Sequence, residues 1–266
     1  MDNLRDMSIK DNKRLKHKPR SMYFDSSTVR SQHKEATKLH KKAANRIVFH
    51  QCIFEKIPHM YPNKKICLLN FANQNYPGVT FPNTSQTQEE ELLRKFPGLF
   101  KLLSESGYYP IDSDSGGVIV TDYTEQYRGD DYEILHKDKV VRCMFVTAAA
   151  PDHRDYDFDE HKVLQHIRNI VLSPILFSDD DTRPDTLVIG AWGCGVYCPT
   201  HTFYESKIKP HVSGDFKCEN YVQLIATCFK KILVDEKMYE YYGKVIIAIP
   251  DKPNLDKFVK VYAKIK

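Results

Sequence analysis

Ile66-Cys67-Leu68-Leu69-Asn70-Phe71-Ala72-Asn73 leads through Gln74-Asn75-Tyr76-Pro77-Gly78-Val79-Thr80 toward Gln88-Glu89-Glu90-Glu91-Leu92-Leu93-Arg94. The first seven residues are an apolar run of strand length, entered from the turn Pro62-Asn63-Lys64-Lys65. Near-continuous apolarity marks a strand covered on both faces. The turn at Pro77-Gly78 follows, and three glutamates then occupy the first turn of a helix, beside backbone donors that have no partner within the helix. Ser85 with Gln88 three residues later fits a capping box that would fix this helix start.

Outward from this stretch, further strands are expected at 118–120, 140–146, 186–189 and 244–249, each a short run rich in Val and Ile. Helical spacing of apolar residues is expected over 91–103, 160–176, 221–234 and 255–265. An earlier helix is expected from Ser27 to about Phe54, through Ala36, Leu39, Ala43, Ala44, Ile47 and Val48. Strands alternating with helices indicate an α/β layered domain, and ligands of such sheets gather where strand ends meet loops. The expected organisation is a basic amino-terminal segment over 1–55, partly flexible and carrying a docked helix, followed by the main domain over 56–266.

Composition narrows the class. None of the 266 residues falls in an apolar run of the roughly 18 to 20 needed for a membrane helix, and the amino terminus is charged where a signal peptide would be apolar. Seven cysteines lack a framework spacing and read as reduced thiols. An intracellular, cytoplasmic location is expected, with the nucleus as an alternative. The first fifty residues hold 13 Lys and Arg against 5 Asp and Glu, a charge of +8 that leaves −4 for the rest of a chain whose net charge is +4. Lys10, Lys13, Arg14, Lys16, Lys18 and Arg20 read first as a solvated tail, with polyanion contact or a nuclear address as the alternatives.

Glutamates in a first helical turn have an ordinary explanation in the helix dipole, worth about 0.3 to 1 kcal/mol, and Glu90–Arg94 and Glu91–Lys95 are ordinary i,i+4 pairs. The context makes them candidates for chemistry. A strand-end Asn70-x-x-Asn73 and a glycine turn precede them, as a loop holding a charged ligand against a helix start requires. Adjacent helical residues point about 100° apart, so Glu89 and Glu90 face one cleft only at its edge. A second cluster, Gly190-Ala191-Trp192-Gly193-Cys194-Gly195-Val196-Tyr197, empties from an apolar strand and lets backbone amides approach an anion closely. Trp192 and Tyr197 suit either stacking on a sugar or base, or packing in the core.

These residues carry a resemblance. Asn70-Phe71-Ala72-Asn73, Pro77-Gly78 and Gln88-Glu89-Glu90 resemble the signature of the poly(ADP-ribose) glycohydrolase family, a strand ending in an Asp/Asn-Phe-Ala-Asn type sequence, a triple glycine and a Gln-Glu-Glu. Gly190 to Tyr197 is similar to that family's second loop, and Phe145-Val146-Thr147-Ala148-Ala149-Ala150-Pro151 to the strand end of its microbial-type members. Both motifs occur in order, and the resemblance spans residues 64–251.

The resemblance implies a three-layer αβα macrodomain with a mixed central sheet and a helical amino-terminal extension. It implies an ADP-ribosyl glycohydrolase, acting on poly(ADP-ribose) or on ADP-ribosylated protein. Glu90 is then the catalytic acid, Glu89 holds a ribose hydroxyl, and Asn73 and Gln88 contact the ribose that is attacked, with Asn70 among the ligand-binding residues. Gly78, Val79 and Thr80 would enclose the pyrophosphate with Gly193, Cys194, Gly195 and Val196, and Tyr197 stands where the family has phenylalanine. No metal and no cofactor is implied; a monomer without a membrane partner is expected, and nucleic acid is left open. A non-catalytic ADP-ribose-binding module is the alternative, because the triple glycine reads Gly78-Val79-Thr80. A metal or thiol site on Cys194, Cys198 and His201 has no recognised ligand spacing behind it.

Overall fold

The structure is a computed structural model that describes residues 20–36, 46–78, 87–154, 158–214, 216 and 218–263. The basic run from Lys10 to Lys18, and the positions Val79, Thr80 and Ser85, lie outside the described residues. Seven strands form one mixed sheet: β1 (Ser21–Phe24), β2 (Arg46–His50), β3 (Ile66–Ala72), β4 (Val118–Glu125), β5 (Arg142–Ala149), β6 (Thr186–Ile189) and β7 (Lys244–Ala248). Their order is β1-β4-β5-β3-β6-β7-β2. The β1–β4 and β4–β5 pairs are antiparallel, and the other neighbours are parallel.

The principal helices are α1 (Ser26–Ala36), α2 (Gln88–Lys95), α3 (Pro97–Glu105), α4 (Glu160–Phe177), α5 (Tyr221–Lys230) and α6 (Lys252–Tyr262). Side chains alternate along a strand, so β5 shows which helices cover which face. Phe145 meets Phe96, between α2 and α3, edge-on at 5.0 Å, while the neighbouring Met144 accepts a long contact from Ser178 just past α4. The two helix groups therefore lie on opposite faces, which makes the layers helix, sheet and helix. Strands β3, β5 and β6 are fully or almost fully buried, as their apolar runs require.

Several expectations are corrected. Of the helix expected from Ser27 to Phe54, Ser26–Ala36 is described as helix, and Arg46–His50 is instead a strand paired with β7 from Arg46↔Lys244 to His50↔Ala248. Pairing on an available sheet edge overrides a helical spacing of apolar residues, and Ile47-Val48-Phe49 suits a strand equally well. Together with β1, this places both outer strands of the sheet within residues 1–55. The single helix expected over 91–103 is two, because Pro97 cannot continue α2 and Phe96 adopts a non-helical φ of −118° and ψ of 75°. The cap of α2 is not Ser85 but Thr87, whose side chain pairs with Glu90 in a full capping box. Among the described residues no helix is long and apolar enough to cross a membrane.

Candidate active site

The parallel strands β3, β5 and β6 end on the same side of the sheet, and the residues singled out by sequence gather there. Pairing of β3 with β6 ends at Leu68↔Val188, while β3 continues to Ala72. Past that point the Gln88 carboxamide serves the strand backbone: its oxygen accepts from Phe71 N at 2.8 Å and its nitrogen donates to the Leu69 carbonyl at 2.9 Å. The start of α2 is thereby fastened to β3. Gln88 was expected to touch a ribose; it lines the cleft, but its amide is committed to the strand.

Glu89 is buried and its two oxygens collect donors from three segments. Oε1 accepts from Asn70 Nδ2 at 3.2 Å and from the Tyr109 hydroxyl at 3.5 Å. Oε2 accepts from the backbone N–H of Asn73 at 3.0 Å and of Gly78 at 3.1 Å. Both ends of the turn after β3 thus hang on one carboxylate, and Gly78 adopts a φ of +60° that glycine tolerates best. Burial pushes the Glu89 carboxyl up to about 7, the Asn73, Gly78 and Asn70 donors hold it below what burial alone would give, and the adjacent Glu90 raises it further. Asn70 is fully buried, also donates to Thr147 Oγ1, and its Oδ1 has no partner among the described residues. It supports the site from behind rather than lining it.

Glu90 is turned differently. Its Oε2 accepts from the Thr87 backbone N–H at 3.3 Å and from the Thr87 hydroxyl at 2.7 Å. The capping box fixes the carboxylate at the mouth of the helix, and both partners line the cleft.

The second loop leaves β6 at Gly190, where a Cβ would come within 2.6 Å of the Ala248 carbonyl and 2.9 Å of the Phe54 ring. Gly193 has a φ of +74° and lies against Ala150 and the Tyr221 hydroxyl. That hydroxyl and His153 Nδ1 share a hydrogen bond of 2.6 Å beneath the loop, and burial lowers the imidazole to about 4, which keeps the ring neutral. Trp192 is core: its Nε1 donates to the Ala148 carbonyl and its ring meets His166 edge-on. Cys194 is buried and is not part of the cleft lining, its Sγ near the Trp192 carbonyl. Tyr197 reaches across to the first loop, accepting from Asn73 Nδ2 at 3.4 Å.

Between the loops lies a cleft of about 450 Å³, bordered by Phe71 and Asn73, by Thr87 to Glu90, by Ala150 and by Gly193, Gly195, Val196 and Tyr197. Residues 3–124 match the family model of the microbial-type PARG (poly(ADP-ribose) glycohydrolase) catalytic domain. The chain resembles the microbial-type poly(ADP-ribose) glycohydrolases. The Thermomonospora curvata poly(ADP-ribose) glycohydrolase structure has a TM-score of 0.72 at 18% identity, with 96% of this chain and 88% of that one covered. The same protein bound to the inhibitor ADP-HPD gives 0.67 at 17% identity, covering 96% and 88%. The Deinococcus radiodurans poly(ADP-ribose) glycohydrolase in complex with ADP-ribose gives 0.67 at 18%, covering 100% and 99%. No curated protein matches.

The family-model match ends before the second loop, which is joined to the site by the fold rather than by that match. Against the glycohydrolase signature, Gly78 is the described member of the altered triple glycine; Val79 and Thr80 are not described. Sequence reading missed Thr87, although Thr87-x-x-Glu90 is itself a capping-box pattern. It also missed Tyr109, His153, Arg154 and Tyr221, which no spacing linked to the two motifs. Among the described residues no group of three or more His, Cys, Asp or Glu could hold a metal ion, and Cys194, Cys198 and His201 form no such cluster.

Proposed function

We propose that the chain hydrolyses the glycosidic bond of ADP-ribosyl linkages, in poly(ADP-ribose) or on modified protein, with Glu90 as the proton-transferring residue. The observation that carries this reading is the division of the adjacent glutamates: Glu89 is spent on the first loop, while Glu90 stands with its cap at the cleft wall. Glycosidic cleavage passes through an oxocarbenium-like state, in which a carboxylic acid protonates the departing oxygen and its carboxylate then activates water. The protonated Glu90 hands its proton to the leaving oxygen, the C–O bond breaks, and the Glu90 carboxylate takes a proton from the water that attacks the sugar carbon. Glu89 shapes the pocket for the sugar. A ribose hydroxyl would have to share an oxygen already taken by Asn70, Asn73, Gly78 or Tyr109.

Glu90→Gln tests the assignment. Glutamine preserves the capping box, so ADP-ribose binding should stay within about tenfold while release of ADP-ribose from poly(ADP-ribose) or from mono-ADP-ribosylated protein is lost. Wild-type turnover in the variant on the better of these two substrates overturns the assignment.

A further inference from the structure

Tyr197 stands where the glycohydrolase pattern has phenylalanine, and its hydroxyl is placed by a chain of contacts. The Asn73 backbone N–H is held by Glu89, and its side-chain Oδ1 accepts from Asn75 N at 2.8 Å and Tyr76 N at 3.4 Å. The amide oxygen is therefore occupied by the turn, which aims Nδ2 across the cleft at the Tyr197 oxygen. On the far side, the Arg154 guanidinium lies 5.3 Å from the Tyr197 ring centroid and is itself held by Asp152, its Nε donating to Oδ1 at 2.9 Å.

A hydroxyl has one proton and two acceptor sites. Tyr197 accepts from Asn73, and among the described residues its own proton has no acceptor, so that proton is available to the cleft that both side chains line. A phenylalanine there would leave Asn73 Nδ2 pointing into the space alone. The tyrosine turns that donor into a relay: a hydroxyl that accepts from Asn73 is polarised to donate onward, which suits an acceptor-only recipient such as a phosphate oxygen.

Resting on the function proposed above, we propose that Tyr197 is a specificity-determining residue whose hydroxyl donates to a diphosphate oxygen of the ligand. The competing picture is a strap: the Asn73–Tyr197 bond closes an empty cleft and must break for a ligand to enter. The two predict opposite effects of removing one oxygen. Tyr197→Phe keeps the ring and its contact with Arg154, so an unchanged thermal midpoint serves as the folding control.

Titration calorimetry with ADP-ribose and with ADP reads the outcome. A lost hydrogen bond to a charged oxygen should weaken both ligands about tenfold in the variant. Equal or tighter binding of ADP-ribose by the variant overturns the donor role in favour of the strap. Weaker ADP-ribose but unchanged ADP overturns the diphosphate assignment, because the contact then lies on the distal sugar. Failure of the wild-type protein to bind either ligand overturns the underlying ADP-ribosyl reading and this inference with it, a result distinct from any difference between the two proteins.

Discussion

The carboxylate that anchors the first loop should make the protein less stable as pH rises. Glu89 has an ordinary carboxyl value of 4.5 when the chain is unfolded and is pushed up to about 7 in the fold, chiefly by burial. Below pH 4.5 both states carry the proton and the site costs nothing. As pH rises past 4.5 the unfolded chain ionises first, the native state binds the extra proton, and stability falls until about pH 7, above which the loss is complete. At 1.36 kcal/mol per pH unit, the change between pH 5 and pH 8 is about 2.5 kcal/mol. Glu89→Gln removes the titration and keeps the fold. The amide oxygen can accept from Asn73 N and Gly78 N, and the amide nitrogen can meet Asn70 if that carboxamide turns its unpartnered Oδ1 forward. Urea denaturation of both proteins at pH 5, 6.5 and 8 isolates the effect, since every other titrating group, His153 included, is common to both. The variant should gain about 2.5 kcal/mol relative to wild type between pH 5 and pH 8. Parallel stability profiles would refute the reasoning and show Glu89 to be ionised in the fold no less readily than in the unfolded chain.

Gly193→Ala should destabilise the protein by about 1 to 2 kcal/mol and weaken ADP-ribose, because φ is +74° and the new Cβ lies 3.3 Å from the Ala150 side chain. Gly195→Ala, whose Cβ meets nothing, is the control and should leave denaturation unchanged. Lys95→Met should cost about 3 to 5 kcal/mol in urea denaturation, because it strands the buried Glu55 carboxylate that lies 3.2 Å from the Lys95 ammonium. Glu55→Gln in the same chain should recover most of that loss.

The central strand, the helix opened by the glutamates and the second loop were legible because each is local: an apolar run, a cluster of acids, a string of glycines. The outer strands were not. Ile47, Val48 and Phe49 read equally well as a helix face until β7 supplies an edge, and that edge lies about two hundred residues away. Pro97 marks the break in the expected 91–103 helix, while the apolar spacing runs straight through it. Within the site, the residue types were legible and their assignments were less so. Gln88 and Glu89 carry groups suited to a sugar, yet the fold uses the Gln88 amide on β3 and the Glu89 oxygens on the first loop. Spacing places a side chain on a face; only tertiary contact decides what it bonds.

The same contacts bear on why position 89 is a carboxylate at all. An amide there would offer an acceptor to Asn73 and Gly78 without ionising in a buried place, so loop anchoring alone favours glutamine. A buried charge held by preorganised donors is useful where positive charge develops beside it, as on the sugar during glycosidic cleavage. Glu89 lines the same cleft as Glu90 and is its neighbour in the chain. A ligand held only for recognition gains less from such a charge, because its own diphosphate is negative and is repelled, whatever a ribose hydroxyl gains. The stability lost by ionising Glu89 is therefore easier to understand in a site that processes a glycosidic bond than in one that only holds ADP-ribose, and it favours the hydrolytic reading over the binding module.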